Sequence, residues 1–417
     1  MIVLAQRTVL WTGATVLLSW LLPRRLQMPA VILSTCLFLA VLDRVALALL
    51  ACQIPLVLWA LPRVRRRGVL TATLVALLVL VLAAFKLAGE RAYPTRVAMP
   101  LGISYMAFRL IHLLVDGYAG RLPAYETGGV LAYLLFLPPL PVGPIHRLPE
   151  FLVDLRRRRF DPELLGRGLE RVLHGYAKLV ILRNLILLPV LLPALSRSAG
   201  TSFLGDTLAA SGRWMDLYIS FSGASDLAIG YALTMGFRLQ ENFRFPFLAG
   251  SIPDFWRRWH ISLTLWCRDY VYAPVAAATR RPVLAVAVAM VVIGLWHEGS
   301  LRYILWGLYH AAGILASHRL AAATRGWFPP GGRRARLLRP LATLATLLFV
   351  VSSFPVTARL DQALRSLMPW RKPTHARLSL PAAFPAPGQS ADAAVVYPAG
   401  HGYPHLLSTE RCRICLP

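Results

Sequence analysis

Along most of this chain the apolar positions do not alternate with polar ones; they run on. Uncharged or nearly uncharged stretches follow one another near residues 3–22, 28–42, 45–62, 68–88, 99–116, 130–146, 172–195, 214–236, 282–297, 303–320 and 338–356. Several approach the roughly 20 residues that a helix needs to cross a bilayer. In lipid the backbone must satisfy its own hydrogen bonds, and these stretches lack the period-two alternation of barrel strands. The pattern predicts an all-α, polytopic membrane protein with roughly ten or eleven transmembrane helices. The first stretch, "MIVLAQRTVLWTGATVLLSWLLPRR", has one early positive charge and no small-residue cleavage site, so it reads as a retained span rather than a signal peptide.

Two stretches interrupt the pattern. "FLPPLPVGPIHR", 136–147, sets four prolines in apolar sequence. No continuous helix tolerates that, whereas a broken or re-entrant segment lining a cavity does. "SIPDFWRRWHISLTLWCRDYVY", 251–272, opens on a capping-box variant, Ser251 followed by Asp254. Ile252, Phe255, Trp256, Trp259, Leu263 and Trp266 then fall on one helical face, with Asp254, Arg257, Arg258 and Arg268 largely elsewhere. That predicts a helix lying in or dipping into the membrane interface, with an ordinary amphipathic anchor as the plain alternative. His260 sits on the Trp-rich side.

The chain divides by character. Residues 1–97 are Leu/Ala/Val-rich spans that read as scaffold, and 98–320 hold nearly all the unusual polar and aromatic residues. Residues 321–370 carry a late span and a following helix, and 371–417 are a Pro/Ala/Gly-rich tail expected to be disordered.

Charge changes the picture little. Of 417 residues, 45 are Lys or Arg and 19 Asp or Glu, a net charge of +26. In a soluble protein that balance would suggest nucleic acid. Here the arginines cluster between spans, at 63–67, 156–159, 257–258, 280–281 and 333–336. Basic loops beside spans mark the cytoplasmic side and contact anionic lipid headgroups, so membrane lipids and not nucleic acid are the expected partners. The five cysteines give no disulfide framework, and Cys412 and Cys415 form a lone C-x-x-C without the second pair that a zinc site needs.

The candidate chemistry lies in ionisable groups at membrane depth, which are costly to keep there. "VVIGLWHEGS", 291–300, carries His297 to the end of an uncharged run; the alternative is an interfacial histidine at a helix end. The zincin pattern fails, because its second histidine would fall at Leu301. "FSGASDLAIGYA", 221–232, offers Ser225 and Asp226, with Gly223, Ala224, Ala228 and Gly230 letting helices approach. Asp226 reads more simply as the partner of an arginine or of a helix terminus. In "LGISYMAFRLIHLLVDGYAG", 101–120, Tyr105, Arg109, His112 and Asp116 share a helix face that should point into the protein, where the last three can pair. His310 lies in the span after His297, with packing as its plain role. These features suit a transporter as well as an intramembrane enzyme.

At this point a resemblance enters. "LGISYMAFR", "FLPPLPVGPIHRLPEF", "FSGASDLAIGYALTMGFRLQENFRFPFLAGSIPDFWRRWHISLTLWCRDYVYAP" and "GLWHEGSLRYILWGLYHAAG" occur in the order and spacing of the membrane-bound O-acyltransferases. The chain resembles that family over about 98–320, and most of all its bacterial branch that acylates polysaccharides and teichoic acids. The resemblance implies about eleven helices around a tunnel, His297 as the catalytic base and His260 as a supporting site residue. It implies that Asp226, Trp256 and Trp296 shape the tunnel. It also implies an acyl thioester donor such as acetyl-CoA, with no tightly bound cofactor or metal. The setting would be the bacterial inner membrane, beside a periplasmic acyltransferase partner and polysaccharide export machinery. Where relatives have Gly-Ala after this histidine, the chain has Glu298-Gly299, which sets an extra carboxylate beside the base. Relatives also run on through further spans after the segment near 350, where this chain continues into its tail. The rival readings are acylation of a lipid, teichoic acid or small molecule, a glycan or lipid transporter, and an inactive scaffold of an export complex.

Overall fold

The computed structural model describes residues 2–91, 99–197, 199–200, 202–324 and 332–367. The expected tail, 371–417, lies outside the described residues. No strand occurs among them; a single isolated bridge pairs Phe243 with Trp259.

Four N-terminal helices come first: α1 (Ile2–Leu21), α2 (Arg24–Leu42), α3 (Arg44–Ala60) and α4 (Gly68–Arg91). Asp43 makes the α2–α3 corner, because its carboxylate accepts from the Ala46 N–H at 2.9 Å and caps α3. Its other oxygen accepts from the Leu101 N–H at 2.7 Å, which ties the corner to the start of α5 (Ile103–Ala119).

Next come α6 (Thr127–Leu134), α7 (Leu148–Arg157) and α8 (Pro162–Tyr176). The helix of α8 continues as a π-helical stretch, Ala177–Leu191, and a last α turn, α9 (Leu192–Ser196). Then follow α10 (Phe203–Thr234), α11 (Ile252–Trp256), α12 (Ile261–Cys267), a π turn at Arg268–Tyr272 and α13 (Ala273–Thr279). Three long helices close the fold: α14 (Pro282–His297), α15 (Leu301–Ala323) and α16 (Arg333–Ser366).

Two glycine contacts position everything that matters. Gly168 and Gly175 of α8 meet Gly223 and Gly230 of α10, with the same spacing on both helices. A Cβ on Gly230 would lie 2.8 Å from the Gly168 carbonyl oxygen, so the backbones touch, as the small residues of the sequence predict. In the α14–α15 hairpin a Cβ on Gly294 would fall 2.1 Å from the Tyr303 carbonyl oxygen. That approach sets His297, three residues on, against the first turns of α15.

Four helices are long and apolar enough to cross a membrane: Arg24–Leu42, Gly68–Leu87, Pro162–Ser196 and Arg336–Ser366. Thr8–Leu21, Arg44–Ala60 and Pro282–His297 are shorter apolar helices. The architecture is thus helical and of multi-pass membrane type, and four of the described helices have the length and composition of a crossing, against the ten or eleven spans expected. The difference has two sources. Some helices are short, and α5 and α10 carry charges that lower their hydropathy. The run 130–146 is no helix beyond Leu134; its proline-rich part is buried irregular chain, as the prolines require.

The stretch 251–272 differs from its reading as one interfacial helix. It breaks at His260, whose φ of +43° and ψ of +54° are left-handed. All six residues of its apolar face are buried in the protein, so the face packs on the bundle and not on lipid. The expected cap is present, with Ser251 Oγ accepting from the Asp254 N–H at 3.3 Å.

Candidate functional site

His297 ends α14 as an exposed residue, with aromatic rings around its side chain. Trp296 lies 4.7 Å away between ring centroids, Trp306 5.5 Å and Tyr303 6.0 Å. Tyr303 and Trp306 come from the first two turns of α15 and share a face with His310, four residues beyond Trp306. His310 packs on Trp306 at 4.5 Å and on Trp256 at 5.4 Å. On the other side His260 meets Trp296 at 5.6 Å. A continuous series of rings therefore runs from His260 through Trp296, His297 and Trp306 to His310, with Trp256 against the last two.

The polar atoms of this cluster are largely unsatisfied. His260 Nε2, both ring nitrogens of His310, and the indole N–H groups of Trp256 and Trp296 are buried without a hydrogen-bond partner. Buried polar groups are almost always paired, so a group of orphans around an exposed histidine marks a place built to receive polar atoms. A non-glycine residue in the left-handed region costs of order 1–3 kcal/mol, and such strain gathers at functional sites. His260 carries that strain inside the cluster.

Two side chains here were not singled out by the sequence. Lys86, from the span taken as scaffold, donates from Nζ to the His297 carbonyl oxygen at 3.3 Å and lies 5.7 Å from the Trp296 ring centre. Its signal was present: it is the single charge between Gly68 and Leu87. Trp306 had a signal too, in its helical spacing from Tyr303 and His310. Glu298 makes no hydrogen bond or ion pair with His297 among the described residues; its backbone N–H caps α14 by donating to the Gly294 carbonyl.

Asp226 and Ser225 do not join the ring cluster. Asp226, on α10, pairs with Arg171 of α8 at 2.7 Å and with Lys178, one helical heptad further, at 2.6 Å. Arg171 also pairs with Glu241 at 2.5 Å. The simpler reading of Asp226, an arginine partner, is the one the structure shows. These residues line a cleft of about 310 Å³ with His174, Tyr218, Ser225, Asn242, Phe243 and Arg244. Two rings separate the cleft from the cluster: Phe243 lines it, Phe221 packs on Phe243 at 5.0 Å, and His260 packs on Phe221 at 4.7 Å.

Arg109 also stands apart. It is fully buried, donates to the Leu134 carbonyl at 3.2 Å, and leaves Nε and one terminal nitrogen unpartnered. The expected pairing of Arg109, His112 and Asp116 holds for the last two, His112 Nδ1 lying 2.9 Å from Asp116. The Leu148 N–H donates to His112 Nε2 at 3.2 Å, which puts the imidazole proton on Nδ1, facing the carboxylate. Tyr270 donates to the same carboxylate at 2.9 Å. Every polar atom of the His112 ring is spent, so the group is structural.

Outside the spans, burial pushes the Asp254 carboxyl up, but Arg258, the Gly250 N–H and Arg257 outweigh it and hold the group below the usual carboxylate range. Asp254 therefore stays ionised as the N-terminal anchor of the 251–260 turn. No group of three or more His, Cys, Asp or Glu fit to hold a metal occurs among the described residues.

Residues 124–350 match the membrane-bound O-acyltransferase family. A protein of Pseudomonas aeruginosa named probable alginate O-acetylase is 31% identical over 291 residues, covering 66% of this chain and 54% of that protein. The teichoic acid D-alanyltransferase of Bacillus subtilis is 32% identical over 230 residues, covering 52% of this chain and 56% of the relative. The peptidoglycan O-acetyltransferase of Helicobacter pylori is 28% identical over 201 residues, covering 46% and 38%. The chain spans about half the length of the first two of these relatives.

Proposed function

The chain belongs to the membrane-bound O-acyltransferase family, and from that premise we propose that it moves an acyl group from a thioester to a hydroxyl of an exported polysaccharide, with His297 as the general base. The observation that carries the reading is an exposed histidine, His297, amid buried ring nitrogens without hydrogen-bond partners. In this chemistry the imidazole takes the proton of the acceptor hydroxyl as its oxygen attacks the thioester carbonyl carbon. The tetrahedral adduct collapses, the C–S bond breaks, and the imidazolium returns its proton to the departing thiolate. A base so placed contributes about 10²–10⁴-fold in rate.

Acetyl from acetyl-CoA, or another acyl thioester, is the donor we favour, because the named relatives include two O-acetylating proteins. The basic loops suit a cytoplasmic donor side in the inner membrane. A periplasmic partner transferase and the export machinery of the glycan would then take the group onward. The shorter or more polar helices, α5, α10, α14 and α15 among them, complete the bundle around the site in this reading.

The test is replacement of His297 by Ala in the native strain, with ester-linked acyl groups on exported glycan and the amount of the protein in the membrane measured together. The expected result is ester at the level of a clean deletion with the protein retained. Ester lost in the deletion but kept in H297A would overturn the base assignment and favour a scaffold or a transporter.

A further inference from the structure

We infer that Asn242 is a positioning residue for His260. The inference rests on the reading above, in which His260 stands beside the reacting centre. His260 is 1% exposed, yet it lies in a left-handed turn between two short helices, α11 and α12. Histidine is commoner there than most side chains, but the conformation still costs energy, so contacts from outside hold the turn. The holding contacts converge on Asn242, which is fully buried.

The Asn242 carbonyl accepts from the Ile261 N–H at 2.9 Å, immediately after the strained residue. The Arg244 N–H donates to the Arg258 carbonyl at 3.0 Å, and Phe243 bridges Trp259 between them. Residues 242–244 thus run as a short antiparallel clamp along 258–261. The side chain adds a second grip. Ser262 Oγ donates to Asn242 Oδ1 at 2.6 Å, and Asn242 Nδ2 donates to Ser225 Oγ on α10 at 3.1 Å. Ser262 Oγ in turn accepts from the Ile145 N–H at 3.0 Å, from the proline-rich segment.

One amide therefore joins α10, α12 and the irregular chain at 145, and its backbone and side chain grip the two residues that follow His260. Both faces of the amide are used, oxygen as acceptor and nitrogen as donor. An aspartate in its place would lose the N–H donor to Ser225 and bury a charge. Ser225 lies about two and a half turns from the end of α10, which carries the clamp inward from the helix end. The position of the His260 ring against Phe221 and Trp296 is set by this clamp, since the ring's own Nε2 has no partner to set it.

The test reads the ring's position without turnover. Membranes holding the wild type, Asn242→Ala and Ser225→Ala are treated with diethylpyrocarbonate, and carbethoxylation of each histidine is followed by mass spectrometry. His260 should react slowly in the wild type. In N242A it should react at least about tenfold faster, and in S225A about threefold faster, as the local turn opens. His310, equally buried, and His318, exposed on α15, should keep their rates. Ester output per protein should fall in N242A together with the change at His260. Unchanged His260 reactivity overturns the inference, and so does a parallel rise at His310, which would mean general loosening. A moved His260 with ester output intact also overturns it. Should N242A fail to reach the membrane, S225A decides by the same criteria. H297A made alongside reads the parent proposal separately, because the footprint of His260 does not depend on acyl transfer.

Discussion

The ring cluster around His297 and the ionic cleft around Asp226 lie two phenylalanines apart, and they solve opposite problems. In the cleft the buried carboxylate is paired: Asp226 faces two cations, and one of them reaches Glu241 as well. In the cluster five ring nitrogens, three on histidines and two on tryptophans, have none. Buried charges are kept when pairing offsets their desolvation, and such pairs hold helices in register. A group of unpaired donors and acceptors needs another account, and the polar atoms of a substrate would supply one. The sequence flagged both regions for the same reason, an ionisable group in an apolar run. The structure separates them by satisfaction, and the function proposed above takes the unsatisfied one for chemistry and the paired one for architecture.

Measuring activity and stability on both regions sharpens the contrast. H297A should cost the full contribution of a general base, about 10²–10⁴-fold in acyl transfer, with the thermal midpoint of the purified protein nearly unchanged. Asp226→Asn should do the reverse. It leaves Arg171 and Lys178 facing each other across a neutral amide, and removal of one partner of a buried pair costs about 3–5 kcal/mol. Since Arg171 and Lys178 are 32% and 30% exposed, solvent reduces this to about 2 kcal/mol. The unfolding midpoint should drop while ester formed per folded molecule stays near wild type. Equal loss of activity in D226N and H297A would break the division, and Asp226 would belong with the chemistry.

A smaller effect tests the packing that brings Asp226 to its cations. In Gly230→Ala the new methyl would lie 2.8 Å from backbone atoms of Gly168 and Val172. Neither can retreat without moving α8, so the substitution should cost about 1–3 kcal/mol, read as a lower midpoint in detergent. A midpoint equal to wild type would show that the helices can part freely, and the register argument for the cleft would fail.

These elements also show what a sequence can carry. The helices, the close α8–α10 contact and the break at 136–147 follow from composition and from Gly and Pro, whose effects are local. His297 could be singled out because a polar group in an apolar run is visible in one dimension, and His260 by its place on a Trp-rich face and by the family resemblance. What could not be read is which polar residues meet. Arg109, His112 and Asp116 share a face, yet the pairing extends only to two of them, because Leu134 offers Arg109 a carbonyl from another helix. The amphipathic reading of 251–272 missed the turn at His260 since nothing in "WRRWHIS" signals a left-handed residue; the clamp that holds it comes from Asn242, 18 positions upstream.

Lys86 supplies the smallest expected effect and the finest test of the comparison. It brings a cation to the ring cluster, through the backbone carbonyl of His297 and the face of Trp296. A cation at the last turn of a helix is worth about 0.3–1 kcal/mol, and one over an indole about 0.5–1 kcal/mol. If Lys86 only steadies the end of α14, Lys86→Met should slow acyl transfer by about two- to tenfold, and Lys86→Arg should restore most of the rate, since a guanidinium keeps the charge and stacks on tryptophan. A loss of a hundredfold or more in K86M, not recovered by arginine, would exceed what capping and stacking supply. The cation would then act on charge that develops during the reaction, and the line drawn between an uncharged reacting cluster and an ionic structural cleft would have to move to include it.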